Sequence, residues 1–423
     1  MSALGKVVVL GAGNIGGSLA QRLAEMDLAR EVVLVDIIDG LPQGKALDIQ
    51  QSAPILGFST RVTGSTSLDA IRGADVVVET AGLARKPGMS RSDLLEKNAG
   101  IVKGHAEAVR AHAPNAVCVV VTNPVDVMTA YFRERSGLPA TRVFGESGTL
   151  DTARFRCFVA EALGVAPRDV TAFVLGSHGD TMVPILSLSS VSGVPLTRLL
   201  EPSRLQAIVD RTKQGGAEVV NLLKTGSAYF APTASQAELV RAVALDEHRL
   251  LSASAHLDGA FGERGVYIGV PVVIGRAGVE RVVEVDLSAA EKQAFAGSVK
   301  AVRDDLAVLE APEGDLGSGS MAVPAAETTT GFVEIKRRLA TLRYVTDAKD
   351  HAHITVKPEI CGRCPHSRCT FVCPAKCYER IEGRLVFRYE DCVECGGCDI
   401  ACDQGSVTWT LPRGKFGVRY AYG

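Results

Sequence analysis

Three things a large share of proteins depend on are missing from this sequence. There is no basic excess: 46 Lys and Arg stand against 48 Asp and Glu, a formal charge of −2. Nucleic acids and anionic membrane surfaces are bound through a cationic face, so neither is expected as a partner. No apolar run approaches the roughly 20 residues that span a bilayer, which excludes membrane insertion by a helix. The opening "MSALGKVVVLGAG" carries no charged leader or cleavage site ahead of its first strand-like run, and a cytoplasmic location is expected. Cysteine is nearly absent from most of the chain. Only Cys118 and Cys157 precede residue 361, whereas the other nine of the 11 fall between 361 and 402. Thiols concentrated in this way suit metal binding better than disulfides in a reducing compartment. Cys118, within "AVCVVVT", and Cys157, in a helical stretch, read as core fillers.

What remains is an ordinary globular composition, 46% hydrophobic and 22% charged over 423 residues, long enough for several domains. Strand-like runs alternate with amphipathic stretches up to residue 145: "KVVVL" (6–10), "EVVLVDI" (31–37), "ADVVVET" (74–80), "AVCVVVT" (116–122) and "RVFG" (142–145). Unbroken Val and Leu runs indicate strands covered on both faces, the pattern of a parallel sheet between helices. Residues 146–311 mix helices (203–224, 288–309) with strands (near 170–175, 266–274 and 279–286), as a second, α+β domain would. The stretch 312–330 is Gly-, Ser-, Pro- and Thr-rich and reads as a flexible linker. Its "GSGSM" looks like a fusion junction, natural or engineered, ahead of a third domain at 331–423.

Gly11, Gly13 and Gly16 form a G-x-G-x-x-G loop between the first strand and a helix-like stretch. The first glycine permits the turn, the second lets backbone approach a pyrophosphate, and the third lets helix and sheet close together. Asp36 ends the next strand 20 residues after Gly16. A carboxylate there binds both ribose hydroxyls and repels a 2′-phosphate, so the loop reads as a site for NAD rather than NADP.

Four further segments carry chemistry: "TAGLARKPGMSRSDLLEKN" (80–98), "VTNPVD" (121–126), "LDTARFR" (150–156) and "GSHGD" (176–180). Asp151 and Arg154, three apart, share a helix face, and His178 follows a strand in a loop of small residues. Together with "NLLKTGSAYFAPTAS" and "GVPVVIGRAGVE", these segments resemble the malate/lactate dehydrogenase family, specifically its lactate-dehydrogenase-like malate dehydrogenases, from about residue 5 to 310. The resemblance implies a Rossmann dinucleotide-binding domain (1–145), a substrate domain (146–311), a homodimer or homotetramer, and interconversion of malate and oxaloacetate in the tricarboxylic acid cycle.

Oxidising a 2-hydroxy acid needs a base for the hydroxyl proton while hydride leaves the same carbon. His suits that role, and a carboxylate beside it orients the ring and stabilises the imidazolium. The resemblance assigns these parts to His178 and Asp151. It gives Arg154 to the substrate's C1 carboxylate and Arg91 to a closing loop that stabilises the carbonyl oxygen. Asn123 falls to nicotinamide ribose and substrate, and Ser227 to a substrate contact. Arg85 matches the position facing a second carboxylate, where an unpaired buried guanidinium rejects a methyl group. Around the cofactor the resemblance implies Gly11, Gly13, Asn14, Ile15, Gly16, Asp36, Asn98, Val121 and Asn123. Glu146, in "GESGTLDTAR", departs from the family, where a neutral residue is usual.

The cysteines near the end read Cys361-x2-Cys364-x4-Cys369-x3-Cys373-Pro374 and Cys392-x2-Cys395-x2-Cys398-x3-Cys402. Three close thiolates plus a remote one from the other motif wrap a [4Fe–4S] cluster. This gives one set of Cys373, Cys392, Cys395 and Cys398, and a second of Cys361, Cys364, Cys369 and Cys402, for one or two clusters. Zinc is the competing reading of C-x2-C pairs. Cys377 belongs to neither set. "HITVKPEIC", "FVCPAKCYE" and "VTWTLPRGKFGVRYAYG" are similar to ferredoxin-like Fix proteins and to the ferredoxin-like part of electron-transfer-flavoprotein:quinone oxidoreductase. That likeness implies a ferredoxin-like iron–sulfur domain and an electron-transfer flavoprotein, or its quinone oxidoreductase, as partner. The alternative is a dehydrogenase carrying the module for docking, with no coupled redox role.

Overall fold

The computed structural model describes residues 4–83, 91–224, 226–310, 343–345, 354–361, 364, 369–373, 377–381, 384–387, 398, 401–402, 404–409 and 417–419. Arg85, Lys86, the linker at 312–330, Cys392 and Cys395 lie outside them. Two compact units are separated, Met1–Arg85 with Ser90–Leu316, and Lys86–Met89 with Gly317–Gly423.

In the first unit, β1 (Leu4–Leu10), β2 (Ala29–Val35), β3 (Arg61–Ser65), β4 (Val76–Glu79), β5 (Val117–Val120) and β6 (Val143–Gly145) form a parallel sheet ordered β3-β2-β1-β4-β5-β6. The helices between them are α1 (Asn14–Glu25), α2 (Leu41–Leu56), α3 (Arg91–His112) and α4 (Val125–Ser136). Val7 to Leu10 and Val76 to Val78 have no exposed surface, which is why these strands are runs of branched apolar residues rather than alternating ones. The chain order reverses between β1 and β4, and ligands of open α/β sheets bind at the carboxyl ends of strands flanking such a reversal. The edge strand β3, "RVTGS", has no apolar run and left no such signal in the sequence.

The second half of this unit forms two small antiparallel sheets and sends its longer strands into the parallel sheet. After α5 (Gly148–Leu163) come the short strands β7 (Val170–Thr171), β8 (Val174–Leu175), β9 (Val183–Pro184), β10 (Ser190–Val191) and β11 (Val194–Pro195), which pair as β11-β10-β7 and β8-β9. Helices α6 (Leu196–Leu199), α7 (Pro202–Leu223) and α8 (Phe230–Leu245) lead to β12 (Arg249–Asp258), β13 (Arg264–Gly275), β14 (Gly278–Val282) and α9 (Ala289–Glu310). β12 pairs antiparallel with β6 through Ser254 and Gly145, so β12, β13 and β14 extend the parallel sheet to nine strands among the described residues.

β12, "RLLSASAHLD", is built of small residues because α5 starts against it. A Cβ on Gly148 would collide with the Ser252 side chain, and Thr149 Oγ1 donates to the Ser252 carbonyl at 2.7 Å. The strand expected near 170–175 breaks into β7 and β8. Cys118 is buried as expected, but Cys157 is exposed. It sits on the outer side of α5, whose inner side is Phe155, Val159 and Ala160.

The second unit has three antiparallel pairs among its described residues: Arg343–Val345 with Gly417–Arg419, Ile354–Val356 with Val407–Trp409, and Tyr378–Ile381 with Arg384–Phe387. Its core joins Ile354, Tyr378 and Val407 to Cys377 and Cys398.

Candidate active site

The glycine loop follows β1 as expected. Gly11 has φ +94°, and a Cβ there would press on Ala81 and Thr80. A Cβ on Gly16 would collide with the Gly11 carbonyl oxygen, so α1 can start this close to β1 only without a side chain. Gly13, by contrast, faces open space, and Gly13 and Asn14 are exposed beside half-buried Ile15. Asp36 Oδ2 accepts from the Ala12 N–H at 2.7 Å, and Lys45 Nζ donates to the Gly13 carbonyl at 2.9 Å. Glycines required for fit on either side of an open one leave a backbone cradle where a pyrophosphate would sit.

Asn98 on α3 is buried and ties two strand ends together. Its side chain accepts from the Leu83 N–H at 2.8 Å and donates to the Asn123 carbonyl at 2.7 Å. Val121 is buried just beyond β5, and Asn123 is exposed two residues later. Thr80, Lys45 and the buried Glu79, whose Oε2 lies 2.7 Å from His105 Nδ1, complete this rim and were not singled out from the sequence.

Asp151, 1% exposed, is the junction of the second cluster. Its Oδ2 lies 2.8 Å from His178 Nδ1, and its Oδ1 accepts from Arg154 Nη1 at 3.2 Å. Burial disfavours charge on the His178 ring, but Asp151, through its charge and hydrogen bond, and Glu146 outweigh this and raise the imidazole to about 9. The ring therefore holds its proton above neutrality, with Nε2 left over from the Asp151 contact.

The His178 loop is fixed by backbone. Gly176 and Gly269 of β13 exchange hydrogen bonds at 2.8 and 3.1 Å, Ser177 N–H donates to Ser298 Oγ at 2.7 Å, and His178 N–H donates to Asp126 Oδ2 at 3.1 Å. Asp126 on α4 is buried and was not foreseen, although it lies within "VTNPVD". Arg154 runs against Gly215 of α7, where a Cβ would meet its Cδ at 3.2 Å. That close approach accounts for Gly215 in mid-helix, where glycine otherwise costs helix stability.

Arg91 opens α3, but its side chain is not among those described. Ser227 is exposed between α7 and α8, and nothing among the described residues ties it to His178 or Arg154. Glu146, the departure noted above, is buried, and its Oε1 accepts from Ser235 Oγ of α8 at 2.7 Å.

A parallel sheet of this order with a glycine cradle at its reversal and an Asp–His–Arg cluster beyond it defines a nicotinamide-dependent dehydrogenase of 2-hydroxy acids. Residues 5–145 match the lactate/malate dehydrogenase NAD binding domain and 148–311 match the lactate/malate dehydrogenase alpha/beta C-terminal domain. The chain belongs to the lactate/malate dehydrogenase family. It is 50% identical over 299 residues to a malate dehydrogenase of Chloroherpeton thalassium, covering 71% of this chain and 96% of that one. A solved malate dehydrogenase of Cryptosporidium parvum aligns with TM-score 0.71 and 43% identity, over 73% of this chain and 99% of that one. A lactate dehydrogenase of the same organism, complexed with lactic acid and nicotinamide adenine dinucleotide, aligns with TM-score 0.71 and 41% identity over 73% and 98%. Fold similarity therefore fixes the chemistry class without choosing between the two acids.

The glycine cradle makes a paired prediction. Gly13→Ala should leave thermal unfolding almost unmoved, since nothing lies within 4 Å of the added methyl, yet weaken NADH at least about tenfold. Gly16→Ala should lower the unfolding temperature by several degrees, because backbone must move. Calorimetry and NADH titration of both variants check it, and equal effects on stability would contradict the assignment.

Proposed function

We propose that the chain is an NAD-dependent malate dehydrogenase carrying a second module that binds iron–sulfur clusters. The observation that carries the first part is Asp151 bonded to both His178 and Arg154. Substrate choice is supported by the malate dehydrogenases to which the chain is about half identical, and by Arg85.

Bound in the cradle, nicotinamide supplies a hydride acceptor or donor. The protein does the rest. Arg154 presents its remaining N–H groups to the substrate's C1 carboxylate, a planar fork that a lysine lacks. His178 Nε2 takes the hydroxyl proton during oxidation and returns it to the carbonyl oxygen during reduction, while Asp151 holds the ring through Nδ1 and stabilises its charged form. Arg85 and Arg91 meet the second carboxylate and the developing oxygen charge. Because His178 keeps its proton to about 9, reduction of oxaloacetate is favoured near neutrality and malate oxidation gains as pH rises toward that value.

Support for the cluster module comes from how the cysteines assemble. Cys369, Cys373 and Cys402 pack against a core of Cys377, Cys398 and Tyr378, and burial, with charges at Cys361, Cys402 and Cys364, pushes the Cys369 thiol up. Cys398, Cys373 and Cys369 act in the same way, after burial, on Tyr378. The two halves repeat one pattern. Cys373 N–H donates to the Cys369 carbonyl and Cys402 N–H to that of Cys398. Four residues on, Cys377 N–H donates to Cys373 Sγ at 3.4 Å and Ser406 N–H to Cys402 Sγ at 3.3 Å. Cys377 thus occupies the position of Ser406, beside a ligand rather than as one. All-thiolate sets fed by backbone N–H groups suit [4Fe–4S] clusters, with Cys361, Cys364, Cys369 and Cys402 holding one and Cys373, Cys392, Cys395 and Cys398 the other. Such clusters supply one-electron transfer, which fits an electron-transfer flavoprotein system as partner.

Replacing His178 by Asn should lower kcat about 10²–10⁴-fold with NADH affinity retained; near wild-type turnover would place the proton carrier elsewhere. Arg85→Gln should shift kcat/KM from oxaloacetate toward pyruvate, and an unchanged ratio would remove Arg85 from substrate choice. Cys373→Ser should halve iron and acid-labile sulfide in anaerobically purified protein without altering malate turnover. Unchanged metal content would remove Cys373 from the ligand set.

A further inference from the structure

We infer that Glu146 is a positioning residue for His178, its buried carboxyl supplying a second negative charge beside the imidazole that Asp151 already holds. The inference rests on the proposed role of His178 as proton carrier. Glu146 follows β6 directly, and its N–H donates to the Val120 carbonyl at 2.8 Å, which fixes it at the carboxyl ends of β5 and β6. It is 4% exposed, and Ser235 Oγ from α8 donates to Oε1 at 2.7 Å. The chain turns from Glu146 straight into α5, where Asp151 N–H donates to the Ser147 carbonyl at 3.3 Å and Asp151 Oδ2 holds His178; the charged groups acting on Glu146 are His178 from the loop after β8, and Asp151 and Arg154 from α5. Asp126 of α4 faces the same histidine through the histidine's backbone N–H.

A carboxyl sealed among apolar strand ends is normally neutral, and burial pushes Glu146 up to about 7, with His178 and the Ser235 hydrogen bond pulling against it. Burial favours the neutral carboxyl, and the neighbouring imidazolium favours the carboxylate. Each group answers the other: the carboxylate raises the imidazole, and the imidazolium lowers the carboxyl. Such a pair titrates as a unit in two macroscopic steps. The sign follows. A neutral residue at 146 removes one of the charges that hold the proton on His178, so the ring should release it at lower pH.

Glu146→Gln keeps the volume and an oxygen for Ser235, and Glu146→Asp keeps the charge. With isotope-labelled histidine, the His178 signal is assigned by its loss in His178→Gln and titrated by NMR in the full-length protein. In Glu146→Gln the imidazole midpoint should fall by about one pH unit, with NADH affinity unchanged. The alkaline loss of kcat/KM for oxaloacetate should move down with it. Glu146→Asp should restore most of both. A midpoint unmoved in folded Glu146→Gln overturns the inference. A midpoint that falls while the rate profile stays put supports the coupling and instead counts against His178 as the proton carrier.

Discussion

The first unit is organised around keeping one carboxylate out of water and doubly engaged. Asp151 is 1% exposed and bonds an imidazole on one oxygen and a guanidinium on the other. An isolated buried carboxylate would take up a proton rather than stay charged. Here both oxygens have a partner, and the carboxylate in turn raises the proton affinity of the histidine. The helix that carries it begins tightly against β12 because Gly148 has no side chain. Asp151 also sits in the first turn of α5, where the helix dipole favours an anion.

His178 comes from a different part of the chain, and the sheet brings it in. Extending the parallel sheet with β12 and β13 places Gly269 where it can bond Gly176. Ser298 from α9 and Asp126 from α4 then fix the next two backbone N–H groups. A loop held at three successive residues loses little further freedom on binding, the kind of preorganisation on which catalysis by orientation depends. The continuous sheet thus serves both halves: its parallel part lines the nucleotide cradle, and its antiparallel extension anchors the His178 loop.

The sequence was most legible where a single local rule decides. Gly16 is required by a backbone contact within the loop itself, and Asp151 and Arg154 meet because they are three apart on a helix. It was least legible where the partner is remote and the signal is a small or polar residue. Asp126 acts on a backbone N–H 52 residues away, and no periodicity announces that. Gly215 in α7 makes sense only once Arg154 lies across it. β12 hid because alanines and serines were needed against α5, and β3 because an edge strand needs no apolar run. Cys157 was misread because its helix face could not be assigned from one thiol. Glu146 stood out by type, but Ser235, 89 residues on, was needed to see that it is enclosed.

In the proposed function the two units handle electrons in incompatible packets. Nicotinamide exchanges a hydride, two electrons together, whereas each [4Fe–4S] cluster changes by one. A direct step between them needs an intermediate able to hold either number, as a flavin does. The chain has one Gly-x-Gly-x-x-Gly loop, and the cradle already occupies it. The proposed ligands are all on the cysteine side and the proposed catalytic groups all on the other, so neither site borrows a residue from its neighbour. In that reading malate turnover requires no cluster, and a flavoprotein is the kind of carrier that joins two-electron to one-electron chemistry.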